Sequence, residues 1–152
     1  MPKSLERFSI VVDSNEFHHG NTWIFPGFNI SVKSLLKYGC DYAVRGQLGQ
    51  IAVERKSYND YVRCLGKGWD AFQKQLDKLQ TNKHYAVIIE ANIDDPIYSG
   101  SRMIHDAVVS QTARVISRGV PAVFAGSRTK ATLMCIKFMQ SAIRRIQDGD
   151  VY

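Results

Sequence analysis

Apolar residues enter this chain in short bursts, and the spacing inside each burst separates strands from helices. Residues 8–12 (Phe-Ser-Ile-Val-Val) form a β-branched apolar run that predicts a buried strand ending at Asp13. Residues 14–28, rich in His, Gly, Asn and aromatic side chains, read as mostly loop. Residues 30–35 alternate apolar and polar, the pattern of a half-buried strand. Residues 41–44 and 50–56 flank Arg45-Gly46-Gln47-Leu48-Gly49 and predict a hairpin with a glycine-containing loop. Ser57 then opens a helical pattern, with Asp60 three positions on as in a capping box. Trp69, Phe72, Leu76 and Leu79 recur at helical spacing, one face of an amphipathic helix. Residues 84–90 predict a second buried strand, 102–117 a helix stopping before Gly119, and 121–125 a third short strand. Residues 128–146 predict a long helix with Leu133, Ile136, Met139, Ile143 and Ile146 on one side.

Strands first, then alternating helix and strand, imply an α/β domain: a mixed sheet with helices on both faces. The length, 152 residues, fits a single domain over 1–152 with a proper core. Hydrophobic residues make up 45% and charged residues 22%, which argues against extended disorder. The three cysteines are widely spaced, which suits neither a disulfide framework nor a zinc site, and reads as reduced thiols. No apolar run reaches membrane-span length, and residues 1–7 lack the apolar stretch of a signal peptide, so a soluble, cytoplasmic protein is expected. The net charge of +6 favours an anionic partner, of which nucleic acid is the commonest.

Charge placement on the hairpin sharpens that expectation. Side chains alternate across a strand, so Glu54 and Lys56 share one face and Arg55 points the other way. Asp41, at the start of the partner strand, can reach the same face as Glu54. Two carboxylates can hold a hard divalent cation, magnesium or manganese, through oxygen ligands. Such an ion polarises a phosphodiester, and a lysine beside it orients water or offsets charge on the phosphate. On spacing alone, a cross-strand ion pair on a solvated face is the commoner use of Glu54 and Lys56.

Around this hairpin stand Asp13-Ser14-Asn15-Glu16, Gly39-Cys40-Asp41-Tyr42, and Glu54-Arg55-Lys56 followed by Asp60. This pattern resembles the XPF-type structure-specific endonucleases, especially single-domain members from bacteria and phages. Trp23-Ile24-Phe25-Pro26-Gly27, Phe72, Ile88-Ile89-Glu90, Gly119-Val120-Pro121 and Phe124-Ala125-Gly126 carry it across nearly the whole chain. It implies a restriction-endonuclease-like fold and metal-dependent cleavage of DNA near branches, flaps, forks or strand junctions. It further implies that Asp13, Asp41 and Glu54 hold the ion, that Lys56 serves the attacking water, and that Glu16, Arg55 and Asp60 support the site. Many members work as dimers, so a homodimer is a candidate assembly here. Phage replication, recombination and DNA repair are the candidate host processes, in a bacterial or phage-infected cell. Two positions depart from the family pattern. Asn15 stands where arginine is usual, and an amide cannot reproduce a guanidinium fork. Cys40 stands where glycine usually precedes the aspartate.

Other residues carry two readings each. Asp60 also suits a plain helix cap. Arg55 suits pairing with a carboxylate such as Glu16, and Glu90 suits either ligation or solvation at a strand end. Lys67 and Lys74 are the DNA-contact candidates, with Lys78 and Lys83 beside them, although lysines commonly just solvate a face. His18-His19 reads as a solvent-facing pair. Arg114, Arg118, Arg128, Lys130, Arg144 and Arg145 either line a DNA path or rim a dimer interface. The rival to an enzyme is a non-catalytic or partner-dependent DNA-binding module of the same fold.

Overall fold

The computed structural model describes residues 8–20 and 22–149. Its strands are β1 (Ile10–Asp13), β2 (Ile30–Lys33), β3 (Tyr42–Val44), β4 (Ile51–Lys56), β5 (His84–Ile89) and β6 (Ala122–Phe124). Its helices are α1 (Ser14–His18), α2 (Tyr58–Leu65), α3 (Trp69–Leu79), α4 (His105–Ser117) and α5 (Arg128–Gln147), with a 3-10 turn at Leu36–Tyr38. The strands form one sheet in the order β2-β1-β3-β4-β5-β6. β3 runs antiparallel to β1 and β4, whereas β1 with β2 and the run β4-β5-β6 pair in parallel. The mixed sheet with helices on both faces is the architecture expected from the sequence.

Alternation along the strands divides the core into two layers. Val11, Ala43, Ala52, Val87 and Ile89 meet Val62, Leu65, Phe72, Leu76, Leu79, Val108 and Val115 of α2, α3 and α4. Ile10, Val12, Tyr42, Val53 and Ile88 meet Ala131, Cys135, Met139 and Ala142 of α5, together with Trp23 and Phe25. Each large side chain buried in these layers contributes on the order of 1.5–3 kcal/mol. The parallel crossovers place α2, α3 and α4 on the first face, and α5 closes the second.

Three local expectations differ from the structure. Ser14–His18 is a helix rather than loop, because Asp13 caps it by accepting from the Asn15 amide. This helix buries no residue, so no apolar period announces it. β2 is an edge strand whose four residues are all exposed, Ile30 and Val32 among them, where its alternating pattern suggested a half-buried strand. The helical stretch after Ser57 is two helices broken at Gly66-Lys67-Gly68, with Ser57 capping the first through the Asp60 amide. Cys40 and Cys135 are buried, Cys64 is half-buried, and all three are free. Among the described residues no helix is long and apolar enough to cross a membrane.

Candidate active site

The hairpin β3-β4 ends its apolar run with charge. Ala52 faces α2 and α3, and two-residue periodicity carries Glu54 and Lys56 to the same side. Val53 faces the α5 layer, and Arg55 follows it there. The same alternation aims Asp13 and Asp41 toward the Glu54 side, so the four residues expected to form the site converge at one end of β1, β3 and β4.

Asp41 is held by the hairpin itself. Its backbone N–H donates to the Val53 carbonyl at 3.0 Å, and its Oδ2 accepts from the Arg55 backbone N–H at 2.9 Å. Glu54 is 4% exposed and shares a side-chain hydrogen bond with Asp41. Its Oε2 also accepts from the Gln75 amide of α3. Burial, followed by the Asp41 charge, pushes the Glu54 carboxyl well above the usual range, and Lys56 only partly opposes this. Lys56 lies 5.5 Å from the centre of the Phe72 ring. Burial works against its charge, but Glu54, Cys64 and Asp41 outweigh that and raise its pKa. It is therefore a firmly held cation beside two carboxyl groups.

The approach of α3 to this cluster depends on Gly39. Its φ is +65°, and a Cβ there would lie 2.8 Å from the Lys78 Cβ and 2.9 Å from the Gln75 carbonyl oxygen. Only glycine fits between loop and helix. Cys40, between Gly39 and Asp41, is a buried side chain. The close approach leaves a cavity of about 240 Å³ lined by Asp13, Asp41, Glu54, Lys74, Gln75 and Lys78. Asn15 also lines it.

Asp13 is differently employed. Its Oδ1 accepts from the Leu35 backbone N–H at 2.7 Å and its Oδ2 from that of Asn15 at 3.1 Å. Both oxygens already serve the backbone. Among the described residues no three His, Cys, Asp or Glu side chains group as a ready metal site. The pair that stands in contact is Asp41 with Glu54. Two carboxylates suffice in kind for magnesium, which keeps several waters and takes further oxygens from a phosphate.

The supporting residues separate. Arg55 forms a fork onto Glu90, at 2.7 Å through Nε and 3.0 Å through NH2, and lies 3.4 Å from Glu16. Trp23 donates its indole N–H to Glu90 and stacks on Tyr42, with ring centres 4.9 Å apart. Tyr42 donates its hydroxyl to Glu16 at 3.0 Å and accepts from the Trp23 backbone N–H. Burial, with Asp41 next, raises the Glu16 carboxyl to about 6 despite Arg55. Glu16, Arg55 and Glu90 therefore form a buried network behind β4. Asp60 is away from both clusters, exposed and paired with Arg63 at 3.2 Å. Lys74 lines the cavity, whereas Lys67 lies in the turn between α2 and α3.

Sequence reasoning missed Gln75 and the roles of Trp23 and Tyr42. Gln75 had a signal: it stands within the spacing Phe72, Gln75, Leu76, Leu79, a polar residue in an apolar stripe. The aromatic pair had none, because its partners lie far away in sequence.

No protein-family model and no curated protein matches the sequence. Solved structures do. An XPF from Aeropyrum pernix superposes with a TM-score of 0.66 at 17% identity, covering 88% of this chain and 61% of that one. An XPF from Aeropyrum pernix in complex with DNA superposes with a TM-score of 0.68 at 18% identity, covering 91% of this chain and 66% of that one. The chain thus spans less than two-thirds of the length of either structure. It has the XPF-type nuclease fold, in which a mixed six-stranded sheet is flanked by helices.

Proposed function

We propose that this chain is a metal-dependent DNA endonuclease that hydrolyses phosphodiester bonds. The observation that carries the reading is the contact pair Asp41 and Glu54, with Lys56 on the same face, at the wall of a cavity rimmed by Lys74 and Lys78. The fold shared with an XPF solved in complex with DNA supports it.

In this reading Asp41 and Glu54 hold a magnesium or manganese ion. When bound, the ion supplies positive charge and polarises the scissile phosphodiester. Glu54 must give up its proton for this, and Gln75 then donates to one of its oxygens and fixes its direction. The Arg55 backbone N–H does the same for Asp41. Lys56 orients the attacking water and offsets charge gathering on the phosphate. Lys74 and Lys78 steer the DNA backbone into the cavity. Asp13 lines the same cavity and is the third ligand in this reading: each of its oxygens accepts one backbone N–H, which fixes its direction and leaves a lone pair for the ion. Glu16 and Arg55 support from behind, and Asp60 lies in the first turn of α2, which Ser57 caps. Branched DNA is the substrate class that the resemblance favours, and repair and recombination are the processes it would serve. A homodimer is the assembly that the resemblance favours.

A second reading, a non-catalytic or partner-dependent DNA-binding module, draws on the absence of a three-residue metal group among the described residues. The two separate on incubating labelled flap, fork, duplex and single-stranded DNA with magnesium, manganese or chelator. The nuclease reading expects cleavage that requires metal and is lost in Glu54→Gln. Binding without cleavage under every condition would refute it.

A further inference from the structure

A larger cavity lies away from the carboxylates. It measures about 430 Å³, within the range of small-ligand pockets, and lies between the C-terminal end of α2 and the segment before α4. Arg63, Lys67 and Arg102 bring positive charge to it, and Tyr98, Met103 and Gly66 supply apolar and flat surface. Asp60 neutralises Arg63, whose guanidinium lies 5.7 Å from the Tyr98 ring centre. Lys67 and Arg102 have no carboxylate partner among the described residues, so the groove keeps free positive charge.

The walls are pinned. Gln111 donates to the Leu65 carbonyl at 3.0 Å, which ties α4 to α2. Tyr58 donates its hydroxyl to the Ile93 carbonyl at 2.7 Å, and the Ser101 and Met103 amides close turns onto Tyr98 and Ser101. The groove is therefore preformed. It shares α2 with the candidate active site: Cys64, whose thiol interacts with Lys56, follows Arg63 in that helix.

We infer that this groove is a nucleotide-binding subsite that seats the phosphate of one nucleotide unit against Lys67 and Arg102 and its base against Tyr98 and Met103. Arginine and lysine recognise a phosphate through charge-assisted hydrogen bonds, and an aromatic ring offers any base a stacking face. The unit belongs either to a DNA strand running from the cut site or to a free mononucleotide. The strand case rests on the nuclease reading; the free case does not.

The test uses the full chain carrying Glu54→Gln, in chelator, so that binding is read without cleavage. Polarisation of a labelled thymidine 12-mer measures affinity at several salt concentrations, with thymidine monophosphate and inorganic phosphate as competitors. Tyr98→Ala is expected to weaken binding by about tenfold or more, and Tyr98→Phe to restore most of it. Lys67→Glu with Arg102→Glu is expected to flatten the dependence of log affinity on log salt by about 0.7 per lost cation. Competition by the monophosphate at millimolar concentration assigns the free source, and its failure assigns the strand. Binding within twofold of the parent, at unchanged salt slope, in both variants would overturn the subsite. So would no binding of either probe by the parent. Thermal melts confirm that the variants fold. Absence of metal-dependent cleavage by the wild type, with groove binding intact, would sink the nuclease reading, and with it a strand running from a cut site, and leave the groove as a nucleotide site.

Discussion

The two faces of β4 at its charged end make opposite use of the same residue types. Behind the strand, Arg55 forks onto Glu90 and meets Glu16, while Trp23 and Tyr42 donate to the same carboxylates, so cation and anions are matched by geometry. In front, Asp41 and Glu54 lie against each other, with Lys56 only partly offsetting Glu54. The first arrangement is finished within the protein. The second is strained by like charge, with Glu54 favouring its neutral form. An added cation would relieve the front face directly and reach the back only through the Asp41 charge that Glu16 feels. The difference shows how one six-residue strand can carry both a support and a reactive site, separated only by side-chain alternation.

The largest expected effect breaks the front face. Asp41→Asn or Glu54→Gln should lower metal-dependent cleavage about a thousandfold, the consequence of losing several kcal/mol of charge stabilisation. Single-turnover rates measure it, and retention of full activity by the double variant would remove the proposed role of both residues. Breaking the back face should act through stability instead. Arg55→Ala leaves buried carboxylates without their cation and should cost about 3–5 kcal/mol in denaturant unfolding. An unchanged midpoint would show that the network contributes nothing. Gln75→Ala leaves Glu54 without its fixed donor and should reduce activity or metal affinity about 10–100-fold, with the fold intact.

A smaller effect is electrostatic and has a definite sign. Burial raises the Glu54 carboxyl, so the folded chain holds that proton more tightly than the unfolded chain. Its stabilising contribution is full below the ordinary glutamate range and is lost as pH rises through the folded value. Metal-free Glu54→Gln should therefore melt higher than wild type at pH 8, by more than about 2 °C, the shift for about 1 kcal/mol in a chain of this size. The gap should close toward pH 4, and calorimetric scans across that interval follow it. The smallest effect is at Asp60, exposed and paired with the equally exposed Arg63. Asp60→Asn should change stability by less than about 1 kcal/mol and leave cleavage within a few fold.

Much of this contrast was legible in the chain. Alternation alone sent Glu54 and Lys56 one way and Arg55 the other, because a strand's period does not depend on its surroundings. The pairing of Arg55 with Glu16 was visible as an option for the same reason of chemistry. Asp13 was not legible as a cap. Its aspartate type announces a ligand, and only the fold shows that two backbone amides also donate to its oxygens. Helix α1 and the exposure of β2 escaped because neither depends on a buried periodic face. Gly39 stood in the sequence as one glycine among 11, and its necessity appears only where α3 presses on it.

The most direct test of the contrast between the faces is to count bound manganese by electron paramagnetic resonance, without DNA, at pH 6 and pH 8. The variants are Glu54→Gln and Glu90→Gln, one from each face of the strand pair. The account predicts one ion per chain, bound more tightly at pH 8 because Glu54 must release its proton. It predicts loss of that ion in Glu54→Gln and retention within a few fold in Glu90→Gln. Binding that survives Glu54→Gln, or that depends instead on Glu90, would contradict it.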